Sequence, residues 1–331
     1  MAAVLITGGT GFIGSALART CAAAGDAVRI LGQANTEAEA GNLGRLRDEG
    51  FTIVEGSVVD VGAVRRAVEG VEVVYHLAAA QHEAGRSDRH FHDVNVRGTE
   101  GMLEASATAG VRRFVHGSTI GVYQAGWAVV HEDSPTVPDN IYGRTKLEAE
   151  RVVAGFADRL PLVVIRISET YGPGDWRLLK LFRAIQKGRY VHIGRAANLH
   201  HPVYIGDLVA GLRLAATGRY RGVEPIVVPG LEVLTSRQMA TTIAGVLGVG
   251  APRLTVPLWP LWTAATLMEW TMRPLSITPP LHRRRMHFFT KSFRFDGVRA
   301  RELLGYEARV GFEQGARSTA EWYRDRGLIA R

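Results

Sequence analysis

The sequence predicts an α/β protein: a doubly wound, mostly parallel sheet with helices on both faces, followed by a smaller α/β region. Short apolar runs alternate with longer amphipathic ones through the first half of the chain, the pattern of successive right-handed βαβ units. A Gly-rich turn, Thr7-Gly-Gly-Thr-Gly-Phe-Ile-Gly14, joins the first apolar run to the first amphipathic one. With 331 residues, 46% of them hydrophobic, the chain can bury one large core or two joined ones.

Taken in order, Val4-Leu-Ile6 reads as a buried strand, Gly14 to Ala24 as a helix and Ala27 to Leu31 as a second strand. A polar, Gly-containing stretch leads to a third strand, Thr52-Ile-Val54. Val61 to Val68 reads as a helix, Val71 to Leu77 as a strand, Asp93 to Ala109 as a helix and Arg113 to His116 as a strand. A helix from Tyr142 to Ala157 then precedes the strand Leu162 to Arg166. Beyond residue 170 the alternation weakens. Leu178–Gln186, Leu208–Ala216 and Ser236–Leu247 read as helices, and Pro202–Ile205 and Pro225–Val228 as strands. Residues 1–170 are therefore expected to form the first domain, with segments near 203–228 returning to it, and 171–331 mainly a second.

The net charge is +8 and the sequence pI about 9.9, but the basic residues are scattered, with tight runs only at Arg112-Arg113 and His282 to Arg285. There is no zinc-finger spacing and no basic tail, so nucleic acid is not an expected partner. The single Cys21 excludes an internal disulfide framework and a Cys-based metal site. A cytoplasmic setting is expected, because Met1 to Ile6 leads straight into the Gly turn without a signal-peptide pattern. His200-His201 has no nearby acidic or Cys partner in sequence, so no metal is expected.

Two motifs carry chemistry. Gly8, Gly11 and Gly14 are three residues apart. They permit a tight turn, close approach of the backbone to a pyrophosphate, and close helix–strand packing, while the helix N-terminus offers N–H groups to phosphate. This is the pattern of a dinucleotide-binding Rossmann unit. In Tyr142-Gly-Arg-Thr-Lys146, the Tyr and Lys are four residues apart and share a helix face. An ammonium beside a phenol lowers its pKa and tunes it for proton exchange with an alcohol or carbonyl.

Together these motifs resemble the extended short-chain dehydrogenase/reductase superfamily, which includes the NAD-dependent epimerases and dehydratases. His76-Leu-Ala-Ala79 resembles its fourth-strand motif, Asn95-Val-Arg-Gly-Thr99 its Asn-containing helix start, and Ser118-Thr-Ile-Gly-Val-Tyr123 its Ser/Thr motif. Arg166 to Gly174 resembles its segment ending in Tyr-Gly-Pro-Gly. The resemblance implies Tyr142 as general acid/base, Lys146 as the cation that lowers its pKa and binds the nicotinamide ribose, and Thr119 as the hydroxyl holding the substrate oxygen. It implies cofactor contacts at Gly8, Gly11, Phe12, Ile13, Gly14, Gln33, Ser57, Val58, Leu77, Ala78, Ala79, Asn95, Tyr142 and Lys146, and substrate contacts at Ser118, Thr119, Asn198 and His201. It also implies a homodimer paired through the Tyr142 helix and the helix before it. Leu147, Val152, Val153 and Phe156 suit either that interface or a core.

The chain departs from the family pattern in places. Leu31-Gly-Gln-Ala-Asn35 carries neither the usual ribose-binding carboxylate nor an Arg for a 2′-phosphate. Gln33 or Asn35 could take the ribose, so NAD is the expected cofactor and NADP the alternative. Ser57-Val58 stands where an Asp is common, and Ile167 where a Pro is. Where family dehydratases and decarboxylases carry extra acids, this chain has Ile120 and Gly121. Simple alcohol/ketone oxidoreduction, or 4-epimerisation by oxidation and re-reduction, remains.

The segment Pro257 to Met272 contains three Trp with Leu and Met, and Pro279 to Arg285 follows it. That arrangement resembles the 3β-hydroxysteroid dehydrogenase branch, so an apolar, steroid-like small molecule is the expected substrate. The alternatives are a nucleotide sugar, with Arg177, Arg183, Arg195 and Arg213 as diphosphate cations, and a non-catalytic dinucleotide-binding protein. A wall of Trp and Met suits such a flat, apolar substrate; the opposing reading is a core or dimer contact, and a third is a helix lying on a membrane, for the segment is too short and Pro-interrupted for a span.

Overall fold

The computed structural model describes residues 2–81, 86–124, 126, 129–220, 222–272 and 291–330. The run Pro279 to Arg285 lies outside them.

Seven strands form one sheet: β1 (Ala3–Thr7), β2 (Ala27–Gly32), β3 (Thr52–Glu55), β4 (Val73–His76), β5 (Arg113–Thr119), β6 (Leu162–Ile167) and a short edge strand, Ile226–Val228. Each neighbouring pair is parallel. The spatial order is edge strand, β6, β5, β4, β1, β2, β3. The direction of winding reverses between β1 and β4, which opens a crevice at their C-terminal ends. The edge strand pairs with β6, Val228 opposite Ile167, so the chain comes back to the sheet after residue 203.

The helices of the first half are α1 (Phe12–Ala23), α2 (Glu37–Asp48), α3 (Val61–Val68), α4 (Asp88–His92), α5 (Gly98–Thr108) and α6 (Ile141–Ala154). α1 packs Leu17, Ala18 and Cys21 on one face of the sheet, beside Leu208 and Leu212 of a later helix. α3, α5 and α6 cover the other face with Val64, Met102, Leu103 and Val153. Val153 and Phe156 belong to this core, and Val152 and Leu147 pack against core clusters. α2 is an element the sequence reading missed: its composition is polar and only Leu43 and Leu46 are buried. The expected continuous helix from Asp93 is interrupted, because Asp93–Arg97 forms a π-helical turn between α4 and α5.

The later helices are α7 (Leu179–Gln186), α8 (Ile205–Thr217), α9 (Ser236–Leu247), α10 (Leu258–Met272), α11 (Val298–Leu304) and α12 (Phe312–Asp325). Phe182, Ile243 and Tyr323 centre a third hydrophobic cluster that joins α7, α9 and α12. Two-residue strands tie this region to the end of β6: Thr170–Tyr171 pairs with Val203–Tyr204, and Leu199–His200 with Leu234–Thr235. Among the described residues, no helix is long and apolar enough to cross a membrane.

Candidate active site

A cleft of about 720 Å³ runs along the C-terminal edge of the sheet, within the range of ~300–1,000 Å³ common for small-molecule sites. Its lining follows the strand order. Asn35, Thr36 and Glu39 stand at one end, then the turn Gly8–Gly14, then Leu77–Ala79 after β4, then Gly117–Ile120 with Tyr142, and last Ile167–Thr170 after β6 with Arg177.

The Gly turn fits a dinucleotide. Gly8 has φ +66, and a Cβ there would lie 2.9 Å from the Ala78 backbone. A Cβ on Gly14 would lie 2.3 Å from the Gly8 carbonyl oxygen, so α1 rests directly on the turn. No side chain caps the N-terminus of α1, which leaves the N–H groups of Phe12, Ile13 and Gly14 for an anion in the cleft.

The wall beside the turn is fixed by two hydrogen-bond chains. The Thr7 hydroxyl accepts from Ala78 N (3.1 Å) and meets His76 Nδ1 (2.8 Å), and His76 Nε2 meets the Thr99 hydroxyl (2.9 Å). Thr99 donates to the Asn95 carbonyl (2.7 Å), so His76 carries its proton on Nε2. Burial holds His76 neutral, its pKa lowered to about 3. In the second chain, Asn95 accepts from Ala80 N (2.8 Å) and donates to Ala80 O (3.2 Å) and the Thr145 hydroxyl (2.9 Å). The π-helical turn thus aims Asn95 inward, where it pins the end of β4 to α6. Asn95 lies behind the cleft lining.

Tyr142 sits in the first turn of α6, where the Asn140 side chain accepts from Gly143 N (3.0 Å) as the N-cap. A Cβ on Gly143 would lie 2.4 Å from the Gly121 carbonyl oxygen. Only glycine lets α6 start this close to the 3₁₀ turn Ile120–Val122 after β5, and that contact brings Tyr142 to Thr119, with which it is hydrogen-bonded. Thr119 Oγ1 also accepts from Gly121 N (3.0 Å). Burial pushes the Tyr142 phenol up to about 12, opposed by the Thr119 hydrogen bond and by the positive charge of Arg177.

Lys146 takes an unexpected position. It is 1% exposed, and its ammonium donates to His116 Nε2 on β5 at 3.3 Å. Burial lowers its pKa to about 8, against the pull of Glu150. The cation acting on the phenol is Arg177, tied to Asp175 by Nε–Oδ1 at 2.9 Å and to the Thr170 carbonyl at 2.6 Å.

Other expected residues are placed elsewhere. The Ser118 hydroxyl donates to Glu150 (2.5 Å), which also holds Arg166 through bonds of 3.0 and 2.7 Å in a buried network locking α6 to β5 and β6. Val58 is buried against Gly98 and lies outside the cleft lining with Ser57. Gln33 meets the Thr10 hydroxyl with its carbonyl and Asn35 Nδ2 with its side chain. At that end the lining carboxylate is Glu39, which accepts from Asn35 N (2.9 Å) and Thr36 N (3.0 Å). The capping box Thr36-x-x-Glu39 was its sequence signal. Asn198 and His201 lie outside the lining, bonded to His200 and Ser236 and to Gly230 and Phe295 respectively. Trp259 and Trp270 of α10 are 72% and 78% exposed and do not line the cleft. Glu169 and Arg177 do line it.

Known proteins match this arrangement. The dTDP-glucose 4,6-dehydratase of Streptomyces niveus is 28% identical, over 97% of this chain and 93% of that protein. A 3β-hydroxysteroid dehydrogenase/Δ5→4-isomerase of Mycobacterium tuberculosis is 32% identical, over 64% of this chain and 60% of that one. The crystal structure of the Streptomyces venezuelae dTDP-glucose 4,6-dehydratase DesIV with NAD bound superposes with a TM-score of 0.77, at 26% identity, over 99% of this chain and 98% of that one. Residues 4–228 match the profile of the NAD dependent epimerase/dehydratase family. A parallel sheet that reverses at β1, a glycine cradle at that reversal and a match spanning both place the chain in the NAD-dependent epimerase/dehydratase family, as an oxidoreductase that uses NAD.

Proposed function

We propose that the enzyme interconverts a secondary alcohol and a ketone on an apolar, steroid-like molecule, with Tyr142 as general acid/base. The observation that carries this reading is the Tyr142–Thr119 hydrogen bond in a cleft continuous with the Gly8–Gly14 cradle. The α1 N-terminus and the Leu77–Ala79 wall would hold NAD, which would supply the hydride acceptor. Thr119 holds the substrate oxygen. Tyr142 takes the proton of the hydroxyl as it becomes a carbonyl, and returns it in the reverse direction. Arg177 favours the phenolate needed for that step. Ile120 gives the adjoining wall no titratable group, which supports oxidoreduction over elimination. Ile120 and Ile167 offer apolar surface beside Thr119, and the 32% identity to a steroid dehydrogenase supports the substrate class.

A second reading, a nucleotide-sugar 4-epimerase or 4-ketoreductase, is favoured by the near-complete overlap with sugar-nucleotide dehydratases. Of the four arginines suited to a diphosphate, Arg177 lines the cleft, and it is already paired with Asp175; Arg86 lines the cleft as well. We further propose residues 1–170 as the cofactor domain, joined by the returning strand near 226, and a homodimer in solution. The test is nicotinamide absorbance with NAD and separate panels of steroid alcohols and UDP- or dTDP-sugars. Turnover confined to the sugars overturns the first reading and supports the second.

A further inference from the structure

We propose that Glu169 forms a second polar subsite in the cleft, one that accepts a hydrogen bond from an uncharged substrate's remote hydroxyl and excludes an anionic group such as a diphosphate. This rests on the alcohol/ketone reading and names which members of that substrate class the enzyme prefers.

The position follows from the sheet. In the β5–β6 register Thr119 faces Ile167, and Glu169 comes two residues later. β6 lies one strand farther from the Gly turn than β5 does. Along the sheet edge the Gly turn after β1, Thr119 at the end of β5 and Glu169 after β6 thus line one cleft in strand order.

The carboxylate is built in place. Its backbone carbonyl accepts from Val203 N (2.9 Å), and the neighbouring Ser168 hydroxyl donates to the His201 carbonyl (2.7 Å). His200, 2% exposed, places Nδ1 at 3.1 and 3.0 Å from the two carboxylate oxygens. On its other side, His200 Nε2 lies 2.9 Å from Asn198 Nδ2. The Ser236 hydroxyl donates to Asn198 Oδ1 (2.8 Å), and Asn198 Nδ2 also donates to the Lys291 carbonyl (3.3 Å). Nε2 also lies 2.9 Å from the Ser236 hydroxyl. Nδ1 faces a carboxylate, which only accepts, so His200 donates from Nδ1 to Glu169. The cluster of Asn198, Ser236 and His200 thus ends on Glu169 in the cleft, with the Glu169 side chain still 35% exposed. Asn198 and His200 are positioning residues: the buried end fixes one face of the carboxylate and leaves its remaining lone pairs to the ligand. The positive charge of Arg177 reaches Glu169, but its fork donates to Asp175 and the Thr170 carbonyl, so the carboxylate keeps lone pairs for a ligand. A hydroxyl donor is satisfied here, whereas a phosphate meets a fixed negative charge at short range.

Wild-type enzyme and Glu169→Gln are assayed with NAD on a steroid mono-alcohol and on diols that differ in the position of the second hydroxyl. The wild type is expected to prefer at least one diol by roughly 10-fold or more in kcat/KM, through KM, and Glu169→Gln to erase that preference with the mono-alcohol little changed. His200→Asn is expected to reduce the same preference; a merely structural role would lower the melting temperature without moving the ratio. Wild type that prefers no diol, or a preference that survives Glu169→Gln, overturns the subsite. Calorimetric titration of UDP-glucose into the NAD-loaded proteins needs no turnover. Glu169→Gln is expected to bind it at least about 10-fold more tightly than wild type, and no gain overturns the subsite. A wild type inactive on every steroid alcohol, with that gain still present, rejects the apolar-substrate reading and keeps the subsite.

Discussion

Replacing Lys146 with Met takes an ammonium out of a site where only 1% of the residue is exposed and puts a thioether of similar length there. Burial lowers the Lys146 pKa from an ordinary 10.5 to about 8. Between those values the unfolded chain binds more protons than the folded one, so stability rises with pH through that window, and the deficit is fully present below pH 8. A shift of that size corresponds to about 3 kcal/mol. Against it stands the 3.3 Å bond to His116, a contact of a kind worth ~1–2 kcal/mol. The net expectation at neutral pH is a gain of about 1–2 kcal/mol in the protein without NAD, a rise of roughly 2–5 °C in melting temperature. The assay is scanning calorimetry of both proteins at pH 7 and pH 10. The gain should shrink at pH 10, where the wild-type lysine is neutral in the fold. A melting temperature that falls at pH 7, or a gain that ignores pH, refutes the assignment of Lys146 as a group held at the expense of stability.

Thr119→Val should lower kcat/KM by ~10²–10³-fold while NAD affinity, read by calorimetry, stays within a few-fold, because the hydroxyl meets the substrate oxygen. Arg177→Met removes the positive charge that lowers the Tyr142 pKa, so the pH–rate profile for alcohol oxidation should move to higher pH; an unmoved profile assigns the tuning elsewhere. Glu39 places a carboxylate at the Asn35–Thr36 end of the cleft, where it should repel a 2′-phosphate. Glu39→Gln should therefore narrow the preference for NAD over NADP by about 10-fold in kcat/KM, and an unchanged ratio contradicts this. Arg166→Met strands Glu150 in a site 7% exposed, which should destabilise by about 3–5 kcal/mol in urea titration.

The parts of this architecture that sequence reveals are those set by local rules. The Gly8–Gly14 turn and the β–α alternation follow from backbone sterics and hydrophobic periodicity, and the sheet forms accordingly. Tyr142 and Thr119 were readable as a pair by family pattern, but the reason they meet is Gly143 against the Gly121 carbonyl, a contact between residues distant in sequence. Lys146 shows the limit: spacing puts it on the Tyr142 face of α6, yet the fold offers its ammonium a buried His116 on β5. Asn198 and His201 stand in a segment whose pattern suggests substrate contact, yet both face internal partners. α2 escaped notice because it buries little, although its capping box was legible. α12 has a clear stripe, Phe312, Ala316, Ala320 and Tyr323, all buried, which hydrophobic periodicity makes legible. The exposed Trp259 and Trp270 show that composition alone does not tell which face a helix buries.

The central claim is that Tyr142 moves the proton in a cleft that binds NAD. Nicotinamide absorbance followed with a steroid alcohol, wild type against Tyr142→Phe, addresses it directly. The account expects NADH to form with the wild type and its rate to fall by about 10³-fold or more in the Phe variant, with NAD affinity retained; a Phe variant that turns over within 10-fold of wild type would contradict it.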